Sequence, residues 1–260
     1  MTDLAGTVER LRALRPEYPD AYGVEVGEPA EPGWTPLAAV TPAVVAEWCA
    51  QALEIENPGR LASVAASAVA GELTHVVLGR VAAAVLLERR GWDVHAANIA
   101  LRRTEDGAVN AAVRDGGLLV LPDDPAAGGP GVTVVPDLGA LLDRVAAAAV
   151  GTLAPLFVAI RAATRYGMVP LWNGTADSVL AAAAYVPLYA GMDGAERPAA
   201  RRLGHVFVDT LIRHAPGSAA AAAASASTGT ARRTRCRCAP RAASTTRPSP
   251  RWTSRPTRTA

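Results

Sequence analysis

The stretch 92-WDVHAANIALRRTEDGAVNAAVRDGGLLVLP-122 decides the fold class. Short apolar runs alternate with the turn residues TEDG and RDGG, a texture of strands and tight connections. The run GVTVVP at 131–136 repeats it. Together these segments predict a small antiparallel sheet of three or four strands between about Asp93 and Pro136. The intervening 122-PDDPAAGGPG-131 reads as a plain loop, because no strand-then-helix context makes it a phosphate cradle.

On both sides the pattern is helical. Thr41 before Pro42 supplies an N-cap and a first-turn proline for a helix through Ala52. Between Arg60 and Arg90 an apolar run is interrupted by Glu72, His75 and Arg80, as in a helix packed on most sides. Gly71 and Gly79 mark places where it bends or divides. Asp137 caps DLGALLDRVAAAAVG, and three further helices follow: LAPLFVAIRAATRYG, TADSVLAAAAYVPLYAGM and RPAARRLGHVFVDTLIRHAPG. The last carries Leu203, Val206, Phe207 and Leu211 at helical spacing and stops at Gly217. The order is helices, sheet, helices. That predicts an α+β, mainly helical domain over 1–217 with the sheet inserted between helices.

The formal charge of +2 over 260 residues conceals two unlike parts. From Ser218 to Ala260 there are nine arginines and no acids, which leaves 17 basic against 24 acidic residues in 1–217. The body is acidic, and the Ala/Ser/Thr/Arg/Pro-rich tail 218–260 is too poor in packing residues to order itself. The N-terminus is polar, unlike a signal peptide. The apolar run 145-VAAAAVGTLAPLFVAI-160 is short for a membrane span and carries Gly151 and Pro155, which predicts a buried helix pair. Cys49 within AVVAEWCAQAL reads as a small buried hydrophobe, with no disulfide framework around it. A cytoplasmic chain without integral membrane association is the resulting expectation.

Motifs with a mechanism are few. His75, His95, His205 and His214 lack a second ligand at zinc spacing, and His75 and His205 read as core histidines of apolar helices. No nucleophile elbow, H-E-x-x-H or Walker sequence occurs. The informative stretch is 165-RYGMVPLWNGTADSVLAAAA-184, where Arg165, Trp172, Asn173, Thr175 and Asp177 cluster ahead of a predicted helix. Two readings stand. Thr175 or Asn173 caps the helix while Trp172 staples its start, or Arg165, Trp172 and Asn173 form the wall of a site for an anionic or chelate ligand.

From RVAAAVLLERRGW, through the strand pair, to RYGMVPLWNGTADSVLAAA, the chain resembles the ferric siderophore reductase (FhuF-like) family, over roughly residues 60–216. That family shares a region with the C-terminal part of siderophore synthetases. Trp172 matches its L-W-G-N-like element, while Asn173–Gly174 stands in reversed order. The resemblance implies an iron-acquisition oxidoreductase that takes a ferric siderophore and an electron donor. It also implies a C-terminal motif like R-x-x-C-C-L-Y-Y-R with C-x-x-C, whose four thiolates hold a [2Fe–2S] cluster.

The tail as written has only Cys236 and Cys238, in RCRC, which fill at most half of a metal's coordination shell. Read one base over, Arg241–Ala242 and Ala242–Ala243 each permit Cys, Ala243–Ser244 permits Leu, and Ser244–Thr245 and Thr245–Thr246 each permit Tyr. The shifted text therefore admits C-C-L-Y-Y. This end reads as a frameshift on an FhuF-like body that has lost its cluster motif. A genuine arginine-rich extension is the alternative, and with it a nucleic-acid-associated protein. The tail lacks interleaved aromatics apart from Trp252, so no stable nucleic-acid partner is expected. A third possibility is a siderophore-binding or biosynthetic accessory protein without redox chemistry.

Overall fold

A computed structural model describes residues 3–16, 22–55, 61–103 and 109–216. The predicted tail, with Cys236 and Cys238, and the predicted stop at Gly217 lie outside the described residues. The chain is α+β and mainly helical. Helix α1 (Leu4–Ala13) is capped by Asp3, whose carboxylate accepts from the Gly6 N–H. Helix α2 (Pro42–Ile55) begins at the predicted proline, with the Val44 N–H donating to Thr41 Oγ1.

Helix α3 (Ala62–Thr74) runs through a π turn (His75–Gly79) into α4 (Arg80–Glu88). The Arg80 N–H reaches back to the His75 carbonyl, one residue further than in an α-helix. Gly79 makes room for this turn. A Cβ there would lie 2.6 Å from His75 Nδ1 and 3.2 Å from Ser178 Oγ. Arg89, in the left-handed conformation at φ 56°, closes α4.

The sheet region differs in detail from the antiparallel expectation. Strands β1 (Glu25–Val26), β2 (Thr35–Pro36), β4 (Ile99–Arg103) and β5 (Val109–Val113) form one sheet in the order β1-β5-β4-β2. The predicted hairpin is present, with β4 and β5 antiparallel and Leu101 opposite Ala111. Strand β1 pairs parallel to β5 and β2 antiparallel to β4, both from a segment with no strand pattern. Two-residue strands are too short to show alternation, and Pro36 fits only an edge position. The second sheet, β3-β6-β7, joins β3 (Gly91–Trp92), β6 (Leu118–Val120) and β7 (Val132–Val134), with β6 and β7 parallel.

Helix α5 (Leu138–Thr164) is one continuous 27-residue helix, not the predicted pair. Pro155 removes the hydrogen bond to the carbonyl four residues earlier, which belongs to Gly151. Both residues lie on the exposed face, where water can satisfy that carbonyl, and the buried face is uninterrupted through Leu153, Leu156, Phe157 and Ile160. Asp137 caps α5 as predicted, its carboxylate accepting from the Ala140 N–H at 2.8 Å.

Helix α6 (Met168–Tyr189) packs on α3, α4 and α7 (Glu196–His214), and α7 also packs on α5. Gly204 sets the α6–α7 crossing, since a Cβ there would stand 2.5 Å from the Ala183 Cβ. Gly204→Ala is therefore expected to push the helices apart and cost about 1–3 kcal/mol despite alanine's better helix propensity. Denaturant unfolding measures it; an unchanged or higher midpoint would show that the crossing tolerates the methyl group. On α7, Phe207 and Leu211 are buried as predicted, but Val206 is exposed. Its neighbour His205 is exposed too and is no core histidine.

Candidate functional site

Helix α6 starts at Met168, seven residues before Thr175, so Trp172, Asn173, Thr175 and Asp177 lie inside it rather than ahead of it. The first cap position is Gly167, with no side-chain cap. Neither Asn173 nor Thr175 caps the helix. The Thr175 hydroxyl is buried and donates to the Leu171 carbonyl at 3.2 Å. Trp172 is 5% exposed and meets Phe157 edge-on, with centroids 5.0 Å apart at 75°. Its indole presents no face to a solvent-borne ligand. Arg165 is exposed and ends α5 at φ 59°, its N–H donating to the Arg161 carbonyl. Half-buried Asn173 is not at an exposed helix start. The predicted trio is thus divided between surface and core.

The same segment nevertheless borders a cleft. Tyr166, Pro170, Leu171 and Gly174 face Ser67, Ala70, Gly71 and Thr74 of α3 across a cavity of about 100 Å³. The α3 residues recur at i, i+3, i+4 and i+7, so one helix face carries only small and hydroxyl side chains. Among the described residues a Cβ at Gly71 or Gly174 would meet nothing within 4 Å, and these two glycines leave the cleft open. Thr74 is 1% exposed and its Oγ1 has no hydrogen-bond partner among the described residues. A buried hydroxyl in that state costs free energy that a ligand or water entering the cleft would recover. With the Ser67 hydroxyl and the Tyr166 phenol, the cleft offers neutral hydrogen-bonding groups and no charge of its own. Its volume suits one arm or one ring edge of a ligand, not a whole chelate. The small-residue spacing on α3 was the sequence signal that could have found it.

The [2Fe–2S] ligation that the resemblance implies needs four thiolates. The described residues supply one cysteine, Cys49, buried in α2. Burial pushes its thiol up, against a smaller opposing pull from Arg103. Among the described residues, no three His, Cys, Asp or Glu side chains converge as a metal site. The described part of the chain does not fit a [2Fe–2S] cluster. Of the histidines, exposed His95 pairs with Asp93, His214 Nε2 lies 2.8 Å from Asp143, and half-buried His75 sits 6.2 Å from the Tyr22 ring.

Two helices, Ala62–Glu88 and Leu138–Thr164, are long and apolar enough to cross a membrane. Their most apolar windows are 83% and 61% buried inside the fold, as core helices are. No protein-family model matches this sequence, and no curated protein or solved structure is significantly similar to it.

Proposed function

We propose that this chain is an iron-acquisition protein that binds a ferric siderophore, a member by resemblance of the FhuF-like ferric siderophore reductases. One observation supports the reading. One of the stretches that carry the resemblance, 165-RYGMVPLWNGTADSVLAAA-183, supplies one wall of the α3–α6 cleft. Hydroxyl groups there suit the oxygen-rich periphery of a hydroxamate or catecholate chelate, as hydrogen-bond partners rather than as metal ligands. Arg165, beside Tyr166 in the chain and exposed, adds charge for an anionic complex. Because the described residues do not fit the cluster, binding is the part of the family's activity that this geometry supports. Reduction belongs to the reading through the resemblance alone.

Titration with a ferric hydroxamate and a ferric catecholate, followed by calorimetry, tests it. Gly174→Leu fills the cleft from an exposed helical position and is expected to weaken binding at least about tenfold, while improved helix propensity holds or raises the melting temperature. Arg165→Ala should weaken only the anionic complex. No binding of either chelate by the parent protein would sink the proposal, and unimpaired binding by Gly174→Leu would move the site elsewhere.

A further inference from the structure

Thr74 differs from the other buried threonines. Thr175 and Thr210 turn their hydroxyls back to the carbonyl four residues earlier in their own helices, at 3.2 and 2.8 Å. Thr152 donates to the Val94 carbonyl and Thr7 to Glu88. Thr74 ends α3, is 1% exposed, and has no hydrogen-bond partner for its hydroxyl among the described residues. A helical threonine can reach the carbonyl four residues back by its choice of rotamer, so Thr74 forgoes a bond that is available to it locally. It does so where it borders the cavity of about 100 Å³ between α3 and α6.

The walls of that cavity restrict what can satisfy the hydroxyl. Gly71 of α3 and Gly174 of α6 bring no side chain, which leaves a slot between the two helices. Ala70, Pro170 and Leu171 line it with carbon, and none of the described residues lining it is charged. An ion would lose hydration there without gaining a counter-charge. A purely apolar group would leave the Thr74 hydroxyl unsatisfied. A planar amide meets both conditions, because it is neutral, its carbonyl accepts from a hydroxyl, and its substituents cover the carbon walls. We infer that the cleft takes a neutral, planar amide group, with the Thr74 hydroxyl donating to its carbonyl oxygen. In the siderophore reading, on which this assignment builds, the protein therefore grips an amide of the organic scaffold rather than the iron centre.

Titration of the full chain with N-methylacetamide, followed through the backbone amide resonances of Gly71, Thr74 and Gly174, provides the test. Saturable millimolar shifts of these resonances are expected for so small a fragment, with none from acetate, its planar charged counterpart. Thr74→Val keeps the shape and removes only the hydroxyl. It should weaken the amide at least about fivefold and leave the melting temperature unchanged or higher, since no bond is lost in the ligand-free chain. No saturable response in the parent, an equal response to acetate, or full amide affinity in Thr74→Val would overturn the assignment. Ferric chelate titrations separate it from the siderophore reading. Amide binding without chelate binding leaves the amide site standing and ends that reading. Chelate binding at parental strength in Thr74→Val sinks the amide site and leaves the reading intact.

Discussion

Replacing Asp124 with alanine will cost the protein about 3–5 kcal/mol, the usual penalty for removing one partner of a buried ion pair. Arg90 and Asp124 have side chains 8% exposed each and meet through two parallel hydrogen bonds, Nε to Oδ2 at 2.7 Å and Nη2 to Oδ1 at 2.8 Å. The pair joins elements far apart in sequence. Arg90 Nη1 donates to Thr7 Oγ1 of α1, the Thr7 hydroxyl donates to Glu88 at the end of α4, and Arg10 of α1 pairs with the same Glu88. Asp124 also accepts from the Ala126 N–H and so shapes the loop between β6 and β7. Without Asp124 a buried guanidinium keeps only Glu88, 3.5 Å away, as its described counter-charge.

The same pair predicts a pH dependence. Burial alone would raise the Asp124 carboxyl, but the Arg90 hydrogen bond, the Ala126 N–H and the charges of Arg90 and Arg10 together hold it below the ordinary carboxylate range. A carboxylate depressed in the folded state contributes stability that is complete above its unfolded pKa. That contribution is lost as pH falls from about 4 through the folded value. Asp124→Asn should therefore be less stable than the parent at neutral pH and show a flatter acid limb in denaturant titrations. An acid limb as steep as the parent's would assign the loss to other groups. The double variant Arg90→Met/Asp124→Leu is expected to recover most of the stability, because it leaves no uncompensated charge.

Trp172→Ala is the second large effect, about 3–5 kcal/mol by the cost of truncating a buried aromatic side chain. The indole lies between Phe157 of α5 and a narrow apolar crevice against Val208, Leu211 and Ile212 of α7, so its loss leaves a cavity where three helices meet. Trp172 Nε1 is buried without a hydrogen-bond partner among the described residues. Trp172→Phe removes that unsatisfied donor and keeps most of the packing, and should stay within about 1 kcal/mol of the parent. Equilibrium unfolding of the two variants separates packing from ligand contact. Retained stability with lost siderophore binding in Trp172→Ala would return this residue to a binding wall.

Local chemistry determined a good part of the fold in advance. Asp137 and Thr41–Pro42 announce helix starts because a cap acts within one turn, and the hairpin of β4 and β5 is legible because five-residue runs show strand texture. The mainly helical α+β class follows from the order of these patterns. What local chemistry could not determine was which surface each element turns inward. In 165–184 the polar and aromatic side chains stand out in the sequence, yet α6 buries Trp172, Thr175 and Val179 and presents Pro170, Leu171 and Gly174 to the cleft. Both sets fall at helical spacing, and only the positions of α3, α5 and α7 choose between them.

The continuity of α5 through Pro155 was decided by tertiary structure in the same way, since exposure of Gly151 and Pro155 makes the break tolerable. So were the π turn at His75–Gly79, the parallel partners of β5 and β6, and the Arg90–Asp124 pair. Each depends on groups that are distant in the chain and close in space. The free energy of such contacts comes from desolvation and packing between elements, which no window of neighbouring residues contains.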